Sequence, residues 1–184
     1  MTALDVVIMA AGKGTRMKSS MPKVLHRLAG KALVQHVIDT ANELQARHTI
    51  VITGHGAEQV EAALTATDAK KTLRFARQMP QLGTGHAVQQ AVPVLPDDGV
   101  VVVLSGDVPL TQADTLKALI QLCDGKQLAL LTIEFDDPTG YGRIVRDANG
   151  QVQAIVEHKD ANETQRAIRE VYSGIMAVPA KLLK

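Results

Sequence analysis

Two short stretches hold most of the side chains that could do chemistry. The first is Ala10–Ala11–Gly12–Lys13–Gly14–Thr15–Arg16–Met17, which follows the apolar run Leu4–Met9. Two glycines at the end of a strand let backbone N–H groups approach an anion closely, because no Cβ stands in the way. Arg16 adds a fork of donors that matches phosphate geometry. Pro22–Lys23 follows, a fixed backbone position beside a second cation. The second stretch is Ser105–Gly106–Asp107, just beyond the Val-rich run Val100–Leu104. A carboxylate there can hold Mg2+, which takes oxygen ligands and keeps several waters. A solvated turn aspartate is the plain alternative.

Two familiar phosphate motifs are excluded. The P-loop needs Gly-Lys-Ser/Thr after four spacer residues, and this loop lacks it. The dinucleotide fingerprint needs a third glycine where Met17 stands, which disfavours a dinucleotide-dependent oxidoreductase. Cys123 is alone, so no internal disulfide can form, and it reads as a small buried apolar residue. His55, His86 and His158 show no metal-ligand spacing and read as loop or helix-start residues.

These residues need a scaffold, and the order of apolar segments suggests one. Strands are expected at Leu4–Met9, His48–Thr53, Leu73–Ala76, Val100–Leu104, Leu128–Ile133 and Val171–Val178. Leu33, Val34, Val37, Ile38, Ala41 and Leu44 recur at helical steps. Further helices are expected around Val60–Leu64, over Gly83–Val92, up to Leu122 with Thr111 as a cap, and over Asp160–Glu170. Pro179 could open another. Ile144–Arg146 and Val152–Val156 flank Asn149–Gly150, a pair suited to a tight hairpin turn. Strand and helix alternate five times before that hairpin. The pattern predicts an α/β fold, three-layer α/β/α, with a mainly parallel sheet and a β-hairpin insertion. Ligands in such sheets sit outside the carboxyl ends of the strands.

Composition narrows the function classes. A length of 184 residues predicts a single domain at about 150 residues per domain. The formal net charge of +1 argues against a dedicated duplex-DNA binder. Phe75, Phe135, Tyr141 and Tyr172 are the whole aromatic complement, too few for a base-stacking platform, so no nucleic acid is expected as partner. No apolar run approaches the roughly 18 residues of a membrane span, and Asp5 interrupts the N-terminal apolar stretch. A cytoplasmic protein with no membrane partner is therefore expected. Leu182–Leu183–Lys184 falls in what reads as a first helical turn, which suggests part of a longer protein.

The stretch Met9 to Lys23 resembles the signature of the sugar-phosphate nucleotidyltransferases, and with it their Rossmann-like fold. Leu82–Gly83–Thr84–Gly85–His86–Ala87, Gly106–Asp107–Val108–Pro109–Leu110, Asp137–Pro138–Thr139–Gly140–Tyr141–Gly142–Arg143 and Val156–Glu157–His158–Lys159–Asp160 follow in family order. Together they resemble the uridyltransferase domains of bacterial bifunctional N-acetylglucosamine-1-phosphate uridyltransferase / glucosamine-1-phosphate N-acetyltransferases. The likeness spans essentially the whole chain, and implies one nucleotidyltransferase domain over 1–184, incomplete at its C-terminus.

That resemblance implies roles residue by residue. Arg16 and Lys23 would be catalytic, neutralising the triphosphate and the charge at the α-phosphorus. Met9, Ala10, Ala11, Gly12, Gly14 and Lys23 would bind substrate, as would Ser105, Gly106 and Asp107. Gln78, Gly83 and Thr84 match the uracil positions, where an amide and a backbone N–H read the imide edge. Gly142, Glu157 and Tyr172 match the positions that hold the acetamido sugar. Asp107 would be a ligand of Mg2+, the implied cofactor, and a second ligand, an Asn, would lie beyond residue 184. Two positions depart from the pattern. Ser105 stands where Tyr is usual, and Tyr172 stands where an Asn touches the sugar; Tyr is larger and offers one hydroxyl instead of an amide. The implied substrates are UTP and N-acetylglucosamine-1-phosphate, and the product would feed peptidoglycan and lipopolysaccharide synthesis. The family's acetyltransferase half is a left-handed β-helix that brings three chains together; no hexapeptide repeat occurs here, so a trimer is expected only with that half present. Another sugar phosphate or nucleotide, or a UTP-binding but catalytically incomplete chain, remain the alternatives.

Overall fold

The computed structural model describes residues 2–68 and 72–184, and the side chain of Arg16 is outside that description. In chain order the elements are β1 (Leu4–Met9), β2 (Arg27–Leu28), β3 (Lys31–Ala32), α1 (Leu33–Glu43), β4 (His48–Thr53), α2 (Ala57–Thr67), β5 (Leu73–Arg77), α3 (Thr84–Gln89), β6 (Val100–Ser105), α4 (Ala113–Cys123), β7 (Ala129–Glu134), β8 (Arg143–Arg146), β9 (Val152–Val156), α5 (Glu163–Arg166) and β10 (Glu170–Pro179). Single 3-10 turns lie at Thr15–Met17, Lys23–Leu25, Val92–Val94 and Ala180–Leu182. The chain forms two compact units, Met1–Ala129 with Met176–Lys184, and Leu130–Ile175.

In the first unit the strand order is β5-β4-β1-β6, all parallel. Met176–Pro179, the end of β10, runs antiparallel against β6. Consecutive residues of a strand face opposite sides of the sheet. Val7, Ile50, Ile52, Val101 and Val103 pack with Ala87, Val88 and Ala91 from the α3 segment into one core cluster. Their neighbours Val6, Ile8, Val51, Val102 and Leu104 face the other way and are equally buried. A sheet covered on both faces explains why these strands read as continuous apolar runs instead of alternating ones. Right-handed crossovers put α1 and α2 on one face; α3, on the return path, lies on the other. The buried residues of α1 are Val34, Val37, Ile38 and Ala41, the face its spacing predicts. Cys123 is a buried free thiol at the end of α4, and burial pushes its pKa up.

The amino ends of these strands carry a buried charge. Asp5 is fully buried and accepts from Arg47 Nη2 at 2.7 Å and from His48 Nδ1 at 3.0 Å. Arg47 also reaches Asp98 at 3.0 Å. An unpaired carboxylate would not be tolerated there, so Arg47 and His48 are what permit Asp5 inside an apolar strand.

In the second unit β8 and β9 form an antiparallel hairpin, with Ile144 opposite Ile155, and Val171 of β10 pairs with Arg143. Three expectations need correction, and one hairpin was missed. The hairpin loop is not a two-residue turn: Asp147 N–H donates to Gln151 O, Gly150 N–H to Asp147 O, and only Gly150 has positive φ. The Asp147 carboxylate accepts from the N–H of Asn149 and of Gln151, which favours the longer loop. The helix expected over Asp160–Glu170 is only Glu163–Arg166. Asn162 and Gln165 form a capping box that sets its start, and Arg169 is drawn into extended pairing with Phe135. In the first unit, Gln112 precedes α4 without a side-chain cap, while the Thr111 hydroxyl points back to Val108 O. The β2–β3 hairpin was not foreseen, because two-residue strands carry no periodicity.

Candidate active site

The order β5-β4-β1-β6 places a topological switch between β1 and β6. The chain leaves the two strands in opposite directions, and a crevice opens at their carboxyl ends. Met9 and Ser105 are register partners at that end. Gly106 N–H donates to Met9 O at 2.9 Å, and a Cβ on Gly106 would stand 3.2 Å from that oxygen. Close approach of the two loops is the reason for a glycine there.

A cavity of about 440 Å³ fills the crevice. Met9, Ala10, Ala11, Gly12 and Gly14 of the first loop line it, together with Lys23, Ser105, Asp107, Gln78, Gly83 and Thr84. Eleven sequence positions singled out for substrate binding thus adjoin one space. Ala10 N–H donates to Ile52 O. Beyond it, the N–H groups of Ala11, Gly12 and Gly14 meet no carbonyl among the described residues. Open donors on a glycine-rich loop are what an anion requires. Gly14 turns the loop with φ 59°, and a Cβ on it would lie 2.8 Å from Lys23 Cβ. Gly56, also at positive φ, seats Pro22, so the turn after β4 fixes the backbone beside Lys23.

Lys23 and Asp107 form an ion pair in the cavity lining, with 37% and 27% of their side chains exposed. Pairs this exposed add little to stability, so the placement of these charges is better explained by a ligand. Gln78 is buried. Its N–H donates to Thr53 O, and its side-chain Nε2 donates to Gly83 O at 2.8 Å. Gln81 and Val24, which stand in no sequence motif, also line the cavity, as do Thr15, Met17 and Ala87, which stand in the motifs without an assigned role. Gln81 donates to Gln78 O at 3.3 Å, a tertiary contact with no motif to announce it.

Gly142, Glu157 and Tyr172 lie in the second unit and adjoin one another. Tyr172 N–H donates to Gly142 O at 2.9 Å, and a Cβ on Gly142 would be 3.7 Å from Glu157 Oε1. Burial pushes the Tyr172 hydroxyl up to about 12, so it stays protonated near neutrality. Among the described residues there is no cluster of three His, Cys, Asp or Glu that could hold a metal by itself. No helix of the described residues is long and apolar enough to cross a membrane. A larger hollow of about 760 Å³ lies beside α1, α2 and the β2–β3 hairpin, and none of its lining residues is a carboxylate or a histidine.

Residues 6–172 match the MobA-like NTP transferase domain. The chain belongs to that family. Among curated relatives, the Bifunctional protein GlmU of Polaromonas naphthalenivorans is 68% identical over 187 residues, covering 98% of this chain and 40% of that protein. The Bifunctional protein GlmU of Acidovorax sp. (strain JS42) is 66% identical over 186 residues, covering all of this chain and 39% of its own length. The chain thus spans about 40% of the length of these curated relatives. A UDP-glucose pyrophosphorylase solved with UDP-glucose superposes with a TM-score of 0.79 at 18% identity, covering 98% of this chain and 78% of that one. A putative glucose-1-phosphate thymidylyltransferase from Bacillus anthracis gives 0.77 at 18% identity, covering 98% and 73%. At that identity both show the NTP transferase fold alone, and it is the fold the strand order predicts.

Proposed function

We propose that the chain transfers the uridylyl group of UTP to N-acetylglucosamine-1-phosphate, giving UDP-N-acetylglucosamine and pyrophosphate. The observation that carries this reading is the convergence, in one crevice at the β1–β6 switch, of open backbone donors, Lys23, Asp107 and Gln78. High identity to GlmU proteins supports the choice of uridine and acetamido sugar within the family.

The Gly12–Gly14 loop receives the triphosphate through its free N–H groups. Lys23, with Arg16 from the same loop, neutralises charge that grows at the α-phosphorus as the bond to pyrophosphate breaks. An oxygen of the sugar phosphate attacks that phosphorus in line, and pyrophosphate leaves with the bonding pair. No protein nucleophile takes part; the chain contributes position and charge. Gln78 and the Gly83–Thr84 backbone take the base. In the second unit, Gly142 N–H and the Glu157 carboxylate are the holders of the acetamido sugar, beside Tyr172. Asp107 fits Mg2+, which is commonly held by one or two carboxylates while water and substrate phosphates complete its shell. When bound, the ion would supply charge neutralisation at the phosphates. Such a reaction belongs to the cytoplasm and feeds cell-wall and lipopolysaccharide precursors.

The test is nucleotide choice. With Mg2+ and N-acetylglucosamine-1-phosphate, UTP should give a sugar nucleotide far faster than CTP, GTP or dTTP. Equal use of the four nucleotides, or a preference for a sugar phosphate without the acetamido group, would replace this reading.

A further inference from the structure

The Gln78 side chain is an amide, and an amide can face a base with either its oxygen or its nitrogen. Uracil presents N3–H, a donor, where cytosine presents N3, an acceptor. Which atom of Gln78 points into the cavity therefore decides which pyrimidine it accepts. Two protein contacts make that choice. Nε2 donates to the carbonyl of Gly83 at 2.8 Å, and Nε2 stands 3.2 Å from Nδ1 of His86. An amide nitrogen has no lone pair to offer, so Nδ1 must be the acceptor, and the imidazole carries its hydrogen on Nε2. Both hydrogens of the Gln78 amide are then used by the protein. Its Oε1 makes no hydrogen bond to any described residue, and Gln78 lines the cavity.

We propose that His86 is a positioning residue for base selection: by accepting from Gln78 Nε2 it holds the amide with Oε1 toward the nucleotide, which favours uracil over cytosine. The inference rests on the uridylyl-transfer reading. Gly83 O alone leaves one amide hydrogen uncommitted. With His86 in place, a flip of the amide takes both hydrogens from their partners, sets Oε1 against the Gly83 carbonyl oxygen and forces the imidazole to shift its hydrogen to Nδ1. His86 is half-buried on the first turn of α3, next to the buried Ala87 and Val88.

The test is equilibrium binding of UTP and of CTP to the whole chain, which reads the base site without requiring turnover. Three proteins are compared: the unaltered chain, His86→Phe, which keeps a ring but has no acceptor, and His86→Asn, which restores an acceptor oxygen. The unaltered chain should prefer UTP. His86→Phe should lower the ratio of the two affinities about tenfold, the size of one directional hydrogen bond, while His86→Asn keeps the ratio within about threefold of the original. A purely structural role would weaken both nucleotides alike and leave the ratio unchanged in all three. If the unaltered chain prefers UTP and His86→Phe prefers it as strongly, the role assigned to His86 is wrong and the functional reading survives. An unaltered chain that binds the two nucleotides equally, or neither, overturns both.

Discussion

Lys23 and Asp107 present opposite charges to the same cavity, and each is about one-third exposed. Such a pair contributes about 0–1 kcal/mol to folding. Lys23→Ala should therefore leave the melting temperature nearly unchanged while weakening UTP binding at least about tenfold, the loss expected when a charged hydrogen bond to phosphate is removed. Titration of both proteins with UTP checks this, and a destabilised protein with intact affinity would contradict it. Asp5 is the converse case, with full burial and no ligand nearby. Asp5→Ala should cost about 3 kcal/mol in a urea titration, toward the low end for a broken buried pair because Arg47 keeps Asp98 and some water. Nucleotide affinity should not move. The two aspartates show what sequence could reveal. Asp107 follows a Val-rich run and a glycine, so its place at a strand's carboxyl end was legible. Asp5 was visible only as a break in an apolar run, because Arg47 and His48 meet it through the pairing of β1 with β4, which single-residue patterns do not encode.

At the scale of elements, the loop after β1 is held by backbone geometry. Gly14 has φ 59°, and an added Cβ would press on Lys23 Cβ at 2.8 Å. Gly14→Ala combines a strained left-handed residue with a displaced lysine. It should reduce affinity for UTP by roughly the same factor as Lys23→Ala, with a loss of stability of about 1 kcal/mol; unchanged affinity would show that the loop is not the phosphate cradle. Long apolar segments were legible element by element: β1, β4, β6 and α1 all lie where their patterns put them. Short ones were not. Residues 160–170 carry a helix-like composition, yet the Asn162–Gln165 box and the pull of Phe135 on Arg169 leave only one turn. β2 and β3 have no period to detect. The site's glycines were legible because they stood in motifs. Gly56, which seats Pro22, was legible only as a turn residue.

Over the whole molecule, four of the described carboxylates, Glu61, Asp114, Asp137 and Glu170, are held below their ordinary values, and Glu61 and Glu170 are the two shielded from solvent. Glu61 is held below its ordinary value first by Arg77 and then by the Thr53 hydroxyl, and Glu170 first by Arg146. A carboxyl with a lowered folded pKa binds fewer protons folded than unfolded, so stability rises with pH across the interval between the two values. The contribution is complete above the unfolded value near 4.5 and is lost as pH falls through the lower folded ones. The melting temperature should fall steadily below about pH 5, and Glu61→Gln should flatten part of that fall. One residue is in each compact unit, so the dependence reports on both. A mainly parallel sheet was legible from alternation, whereas the order β5-β4-β1-β6 and the division into two units were not, since the hairpin segment reads as a simple insertion. The central claim is uridylyl transfer at the β1–β6 crevice. Pyrophosphate release from UTP, N-acetylglucosamine-1-phosphate and Mg2+, with Asp107→Ala beside the unaltered chain, tests it most directly. Release that needs all three components and is lost in Asp107→Ala is the expected result. Release that persists undiminished in Asp107→Ala, or no release together with no saturable UTP binding, would contradict it.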